Sequence, residues 1–230
     1  SFTDAKGEYG MGRLFGSGTV NLPEFLKSTK KELIKHNELV SEKFEFDQLK
    51  FSNENVCFHS IQAKAVVFCE GHQAIHNPYF SWLPFKLTKG EILHVRADKI
   101  SRNYILHKRI NLIPQGSNTF WAGATFDWKF QHDHPTDLGK KELSSRLESL
   151  IGNEYQIVEH QAGIRPTVSD RRPLIGRHPK YKRLFIFNGL GTRGVLLAPY
   201  FANQMVAYLN NKELLDPEVD IKRYASAYKG

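Results

Sequence analysis

The sequence predicts a mixed α/β fold, of the α+β kind in how its elements segregate, and three observations predict it. First, Leu184-Phe185-Ile186-Phe187 is a short apolar run that reads as a buried strand. Three glycines in six residues, Gly189, Gly191 and Gly194, follow it, and apolar residues then dominate from Val195 to Leu209, the length of a buried helix. Second, residues 77–160 carry short alternating runs joined by polar turns, at 87–95, 104–107, 110–114 and 120–125, as in an antiparallel sheet. Third, residues 137–151 place Leu138, Leu143, Leu147, Leu150 and Ile151 on one side and Lys140, Lys141, Glu142 and Glu148 elsewhere, an amphipathic helix.

Composition bounds the rest. The 230 residues suit one large domain or two ordinary ones, and 40% hydrophobic content is ample for a core. A mean hydropathy of −0.45 and the lack of a long apolar run exclude a transmembrane helix, so no membrane partner is expected. No secretory signal is visible. Cys57 and Cys69 sit in apolar strand-like runs and are expected as buried free thiols, which fits a reducing, cytoplasmic compartment. Net charge is +8, with a pI of about 9.4. From Arg165 to Arg193 there are eight Lys or Arg and one acid, Asp170. Such a cluster meets an anionic cofactor, an acidic substrate or nucleic acid, or it is a solvated basic face.

Along the chain, Gly7, Gly10, Gly12, Gly16 and Gly18 form GxG pieces, but no apolar strand precedes them, so they are not a dinucleotide fingerprint. Asn21 is an N-cap candidate with Pro23 in the first turn, ahead of Phe25, Leu26, Leu33 and Ile34 at helical spacing. Phe44, Phe46, Leu49, Phe51, Val56 and Phe58 alternate with polar residues around a turn at 52–55, which reads as hairpin strands. Residues 63–71 form a buried strand ending in Gly71. His132-Asp133-His134 and His72 with His76 complete no metal ligand set and read as exposed loop residues, so no metal is expected. Gly163-Ile164-Arg165-Pro166 places one guanidinium in a segment that Pro166 keeps extended. A helix starting near Leu196 puts Pro199 in its first turn, where the missing N–H costs nothing. The glycine turn feeding that helix suits an anionic or electron-rich group, or is a tight turn with no ligand.

Residues 162–209 resemble the C-terminal flavin-binding segment of the D-amino-acid oxidase family, which includes glycine oxidase, sarcosine oxidase and the C-terminal domain of the tRNA-modifying MnmC enzyme. Gly163, Arg165, Pro166, Asp170, Pro173, Gly176, Gly189, Gly191 and Gly194 match its G-x-R-P, Asp, P-x-x-G and G-x-G-x-x-G positions in order and spacing. GLGTRG is closest to the MnmC loop and GIRP to glycine oxidase. The segment GSGTVNLPEFL, the strand ending at Gly71, the P-x-x-G-like opening at 84–95 and the IP…GATF series also have family counterparts. Glu70 stands where the family has a small residue, and Asn111 where glycine oxidase has a Tyr that helps hold the substrate carboxylate.

The resemblance implies a partial FAD-binding, Rossmann-like domain lacking its first βαβ unit, plus an antiparallel substrate-binding domain. The expected divisions are residues 1–76 and 161–230 for the FAD-binding part and 77–160 for the substrate part. It implies FAD as cofactor, with Gly71, Gly189, Leu190, Gly191, Thr192, Arg193, Gly194, Val195 and Leu196 beside it. It implies an amine or amino-acid substrate, with Arg165 and Asn111 at its carboxylate end. Arg165 is otherwise an arginine paired with Asp170 or another carboxylate, and Arg193 either adds to the field at the flavin or points to solvent. The family's N-terminal strand and G-x-G-x-x-G fingerprint are absent from these 230 residues, so this chain alone is expected to bind FAD weakly or not at all and to leave strand edges open. Three functions follow: an FAD-dependent amine or amino-acid oxidoreductase, a tRNA-modifying relative, and a non-catalytic module that kept the scaffold.

Overall fold

The computed structural model describes residues 10–52 and 54–229; Gly7 of the glycine series and Asn53 of the hairpin turn lie outside them. The fold is mixed α/β, in two compact units, one of Pro84–Arg172 and one joining Gly12–Leu83 to the chain from Pro173 onward.

The first unit is a five-stranded sheet. In chain order its strands are β5 (Thr88–Arg96), β6 (Leu106–His107), β7 (Asn111–Gly116), β8 (Thr119–Gly123) and β9 (Gln156–Arg165), ordered β6-β7-β8-β5-β9 and antiparallel throughout. Strand β9 runs along β5 from Gln156 to Arg165, which keeps the G-x-R-P arginine with this sheet. Helix α2 (Asp137–Ile151) has the expected bounds and is capped by the Thr136 side chain accepting from Gly139 N–H, but Leu138, expected on the apolar side, is 80% exposed. It buries Leu143, Leu147 and Leu150 against Leu93, Val95, Leu112, Phe120 and Ala122 on one face of the sheet. At the same contact Glu91, 2% exposed, accepts from Thr136 N–H and Oγ1–H, both at 2.9 Å. Lys89 Nζ lies 3.1 Å and His160 Nε2 2.8 Å from its oxygens. Gly139 packs so closely here that a Cβ would fall inside the Glu91 carboxylate.

The second unit opens with helix α1 (Leu22–Lys35), where Asn21 accepts from Glu24 N–H as an N-cap and Pro23 sits in the first turn. Strands β1 (Leu49–Phe51), β2 (Val56–Phe58) and β3 (Ile61–Ala63) form an antiparallel meander. Strand β4 (Val66–Phe68) belongs to a different sheet, ordered β10-β11-β4, with β10 (Leu174–Arg177) antiparallel and β4 parallel to β11 (Leu184–Asn188). The apolar run from Ala63 to Gly71 is therefore not one strand; its first residue closes the meander and Val66–Phe68 crosses to the parallel pair.

Helix α3 (Gly194–Leu209) starts two residues earlier than the expected Leu196. Pro199 consequently lies in the second turn, not the first, and leaves the Val195 carbonyl without its i+4 donor. Cys57 is half-buried and Cys69 exposed, both as free thiols, which corrects the expectation that both would be buried. No helix among the described residues is long and apolar enough to cross a membrane.

Candidate functional site

In the second unit the parallel pair brings two glycine turns together. Strands β4 and β11 lead to Gly71 and Gly189, at φ +60° and +73°, a region that favours glycine. Asn188, 4% exposed, ties the two turns: its Nδ2 donates to the Gly71 carbonyl at 2.9 Å and its Oδ1 accepts from Gly189 N–H at 2.8 Å. Gly191, at φ +56°, opens a short 3-10 turn (Gly191–Arg193) that runs into α3. No side chain caps the α3 N-terminus; the preceding 3-10 turn runs into it, with Arg193 N–H donating to the Leu190 carbonyl at 3.2 Å, and this end carries the positive end of the helix dipole. Thr192, Arg193, Val195 and Leu196 are exposed; Leu190 and Gly194 are half-buried. Ligands of parallel sheets bind beyond the C-terminal strand ends, which is where these turns lie. The expected cofactor residues Gly71 and Gly189 to Leu196 thus share one end of one sheet. Glu70, the departure from the family pattern, holds the Asn77 side chain at 2.7 Å.

In the first unit the substrate candidates fall on the sheet face opposite α2. Asn111 pairs with Gly123, Gly123 with Ile92 and Ile92 with Gln161, and directly opposed residues share a face. Gln161, Gly163 and Arg165 alternate onto that same face. The Arg165 guanidinium folds across β5 at Gly90, where a Cβ would fall inside it. Its Nη1 donates to the Thr125 carbonyl at 3.2 Å, and the Phe126 ring lies 4.6 Å below it. Burial lowers its pKa, yet a guanidinium stays charged. Arg165 makes no ion pair among the described residues; Asp170 instead accepts from Arg172 N–H at 3.0 Å. Asn111 is exposed, and its Oδ1 lies 2.9 Å from His107 Nδ1 across the strand pair. With Oδ1 so engaged, the amide N–H₂ of Asn111 has no partner among the described residues.

Sequence reading missed four of these residues. Asn188 precedes the glycine run and gives no signal of its own. Gly90, Thr125 and Phe126 matter only because β5 and the segment after β8 come beside Arg165 in space.

A match to the family described as FAD dependent oxidoreductase (DAO) covers residues 11–209. Glycine oxidase of Bacillus licheniformis is 34% identical over 127 residues, 53% of this chain and 34% of that protein. The tRNA 5-methylaminomethyl-2-thiouridine biosynthesis bifunctional protein MnmC of Legionella pneumophila (strain Corby) is 22% identical over 232 residues, 86% of this chain and 34% of that protein. These alignments span about a third of the length of either relative. Among solved structures, iminodiacetate oxidase from Chelativorans sp. BNC1 superposes with a TM-score of 0.71 at 19% identity, over 87% of this chain and 57% of that one. L-proline dehydrogenase from P. horikoshii gives 0.71 at 17%, over 87% and 60%. The structures establish the fold, and the match from residue 11 to residue 209 establishes that this chain belongs to the DAO family of FAD-dependent oxidoreductases.

Proposed function

We propose that the protein is an FAD-dependent oxidoreductase of an amine or amino acid, acting in the reducing cytoplasm, with this chain supplying the substrate-facing sheet and part of the cofactor cradle. Arg165 is the observation that carries the reading. It is a charged, part-buried guanidinium with no carboxylate partner among the described residues, set in place by Gly90, Thr125 and Phe126. A fork of this kind holds a substrate carboxylate through two parallel bonds. Fixing that end limits how the reacting carbon is presented. Asn111 adds two N–H donors on the same face, a different grip from a Tyr hydroxyl, so glycine is not assigned as the substrate. Gly71 and Gly189 to Leu196 would hold the cofactor, because positive-φ glycines and a helix start with no side-chain cap leave room and positive potential for an electron-rich ring edge. When bound, FAD supplies the acceptor for the substrate hydride at N5. There the positive end of the α3 dipole would favour negative charge on the bound ring.

The test is Arg165→Ala in the flavin-loaded enzyme. The expected result is a KM for carboxylate substrates raised at least tenfold, and the same from Gly90→Val, which displaces the guanidinium without removing it. An unchanged KM in both removes Arg165 from the role. A second reading, modification of a tRNA-borne amine, is favoured by the alignment to MnmC over 86% of the chain and by the absence of any Asp or Glu from Arg171 to Lys212. It predicts tRNA binding whose log K falls linearly with log salt.

A further inference from the structure

The second unit contains a cavity of about 530 Å³ that the oxidoreductase reading leaves unused, within the size range of small-ligand sites. Its walls are mostly rings: Phe46, Tyr79, Tyr181, Tyr228 and His178. His178 is fixed among them, its Nδ1 accepting the backbone N–H groups of Lys180 at 3.1 Å and Tyr181 at 3.0 Å. A backbone hydrogen bond ties it to Tyr79, and burial lowers its pKa, so it serves as a neutral plate. The tyrosines pack around it, Tyr181 and Tyr228 each with its ring centre 5.0 Å from the imidazole, and Tyr79 lies 5.2 Å from Tyr181.

Charge selects among ring-binding ligands. Lys180 stands at the cavity, and Arg177 and Lys182 are exposed on either side of it in sequence. Asp47 is the one acid in the lining. Aromatic faces beside a basic track are the chemistry of single-stranded nucleic acid binding, where bases stack and cations follow the phosphates.

We infer that this cavity takes an unstacked base of single-stranded RNA, with Tyr79, Tyr181 and Tyr228 as stacking surfaces, Lys180 on the adjoining phosphate and Asp47 accepting from the base's N–H edge. This rests on the tRNA reading and adds a place where the strand is held.

The test is fluorescence anisotropy of a labelled ten-nucleotide single-stranded RNA with the whole chain, against a duplex of equal length and against UMP as competitor. The expected result is salt-dependent binding of the single strand in preference to the duplex. Tyr181→Ala and Tyr228→Ala weaken it roughly tenfold, in line with the loss of one stacked base, and Tyr181→Phe restores it. Lys180→Glu weakens binding and lowers the salt slope by about one. Circular dichroism checks that the variants are folded; Tyr228, beyond the last strand and helix of the core, is the safer of the two. Wild-type binding that ignores all three tyrosine and lysine variants overturns the cavity and leaves the tRNA reading standing. Absence of any RNA binding at 50 mM salt overturns both. Displacement by UMP at the concentration of the strand reassigns the cavity to a free nucleotide and overturns the RNA assignment.

Discussion

Helices α1 and α2 have the same kind of apolar periodicity and opposite fates. Helix α2 buries Gly139, Leu143, Leu147 and Leu150 against the five-stranded sheet, and the facing residues Leu93, Val95 and Leu112 are 0% exposed. Helix α1 buries none of its residues; Phe25, Leu26 and Ile34 are 58%, 57% and 54% exposed. The contrast extends to the units that contain them. The first closes its core with its own elements. In the second, β4 has no second neighbour among the described residues, and α3 buries only Phe201 and Met205 while Val195, Leu196, Tyr200 and Val206 stay exposed. Periodicity therefore specifies that a helix forms and which side is apolar; what covers that side is a separate matter. An apolar face and a free parallel strand edge on one unit mark a surface suited to further packing.

The largest effect tests the closed unit. Glu91→Ala removes the ion-pair partner of the buried Lys89, the contact of the His160 ring and the acceptor at the α2 N-terminus. Breaking a buried pair from one side costs about 3–5 kcal/mol, and the midpoint of urea unfolding should fall accordingly. Burial pushes the Glu91 carboxyl up, but the hydrogen bonds from Thr136 and the neighbouring Lys89 outweigh it, so its pKa lies below the ordinary value. A carboxylate depressed in the folded state stabilises above its unfolded pKa and loses that contribution as pH falls through the folded one. Wild-type stability should thus drop on acidification below the ordinary carboxylate range. Glu91→Gln should flatten that part of the curve; an unchanged acid limb would show that Glu91 does not carry it.

An intermediate effect lies where the two glycine turns meet. Asn188→Ala leaves the Gly71 carbonyl and Gly189 N–H without their partner in a buried place. The expected loss is about 1–3 kcal/mol. Asn188→Asp keeps the acceptor for Gly189 but not the donor to Gly71, so it should recover part of the loss. Equal stability of Ala, Asp and wild type would mean that the turns are held by the strands alone.

These two sites also show what the sequence makes legible. The bounds of helix α2 were readable because Leu143, Leu147 and Leu150 repeat at helical spacing, whereas Leu138, read with them, lies off that face. The strand–glycine turn–helix segment was readable because glycine positions and apolar length are local properties. Its helix start was not, since Gly194 is helical here despite its low propensity, which moves Pro199 into the second turn. The contact of Glu91 with Lys89 and the His160 ring joins residues up to 71 positions apart, and no local pattern announces it. Arg165 could be singled out from G-x-R-P, whereas its support at Gly90 and Phe126 arises only from the pairing of β5 with β9. Non-local neighbours fix both the site's shape and the buried charges, and these are what a linear reading leaves out.

The smallest effect sharpens the open side of the comparison. Phe25→Ser with Leu26→Ser removes two large apolar groups from α1, yet neither is buried. Surface substitutions away from special contacts stay within about 0.5 kcal/mol, and Ser is only modestly poorer than Leu or Phe as a helix former. The unfolding midpoint should therefore hardly move, while binding of an apolar dye such as ANS should fall, because the dye reads exposed apolar surface directly. The matching change in α2, Leu147→Ser, should cost several times more, since it leaves a cavity and a hydroxyl in a fully buried place. If the α1 pair instead costs as much as Leu147→Ser, then α1 is covered in solution and the two helices are alike after all. If dye binding persists with stability unchanged, the exposed surface that matters is the α3 face at Val195, Leu196 and Tyr200.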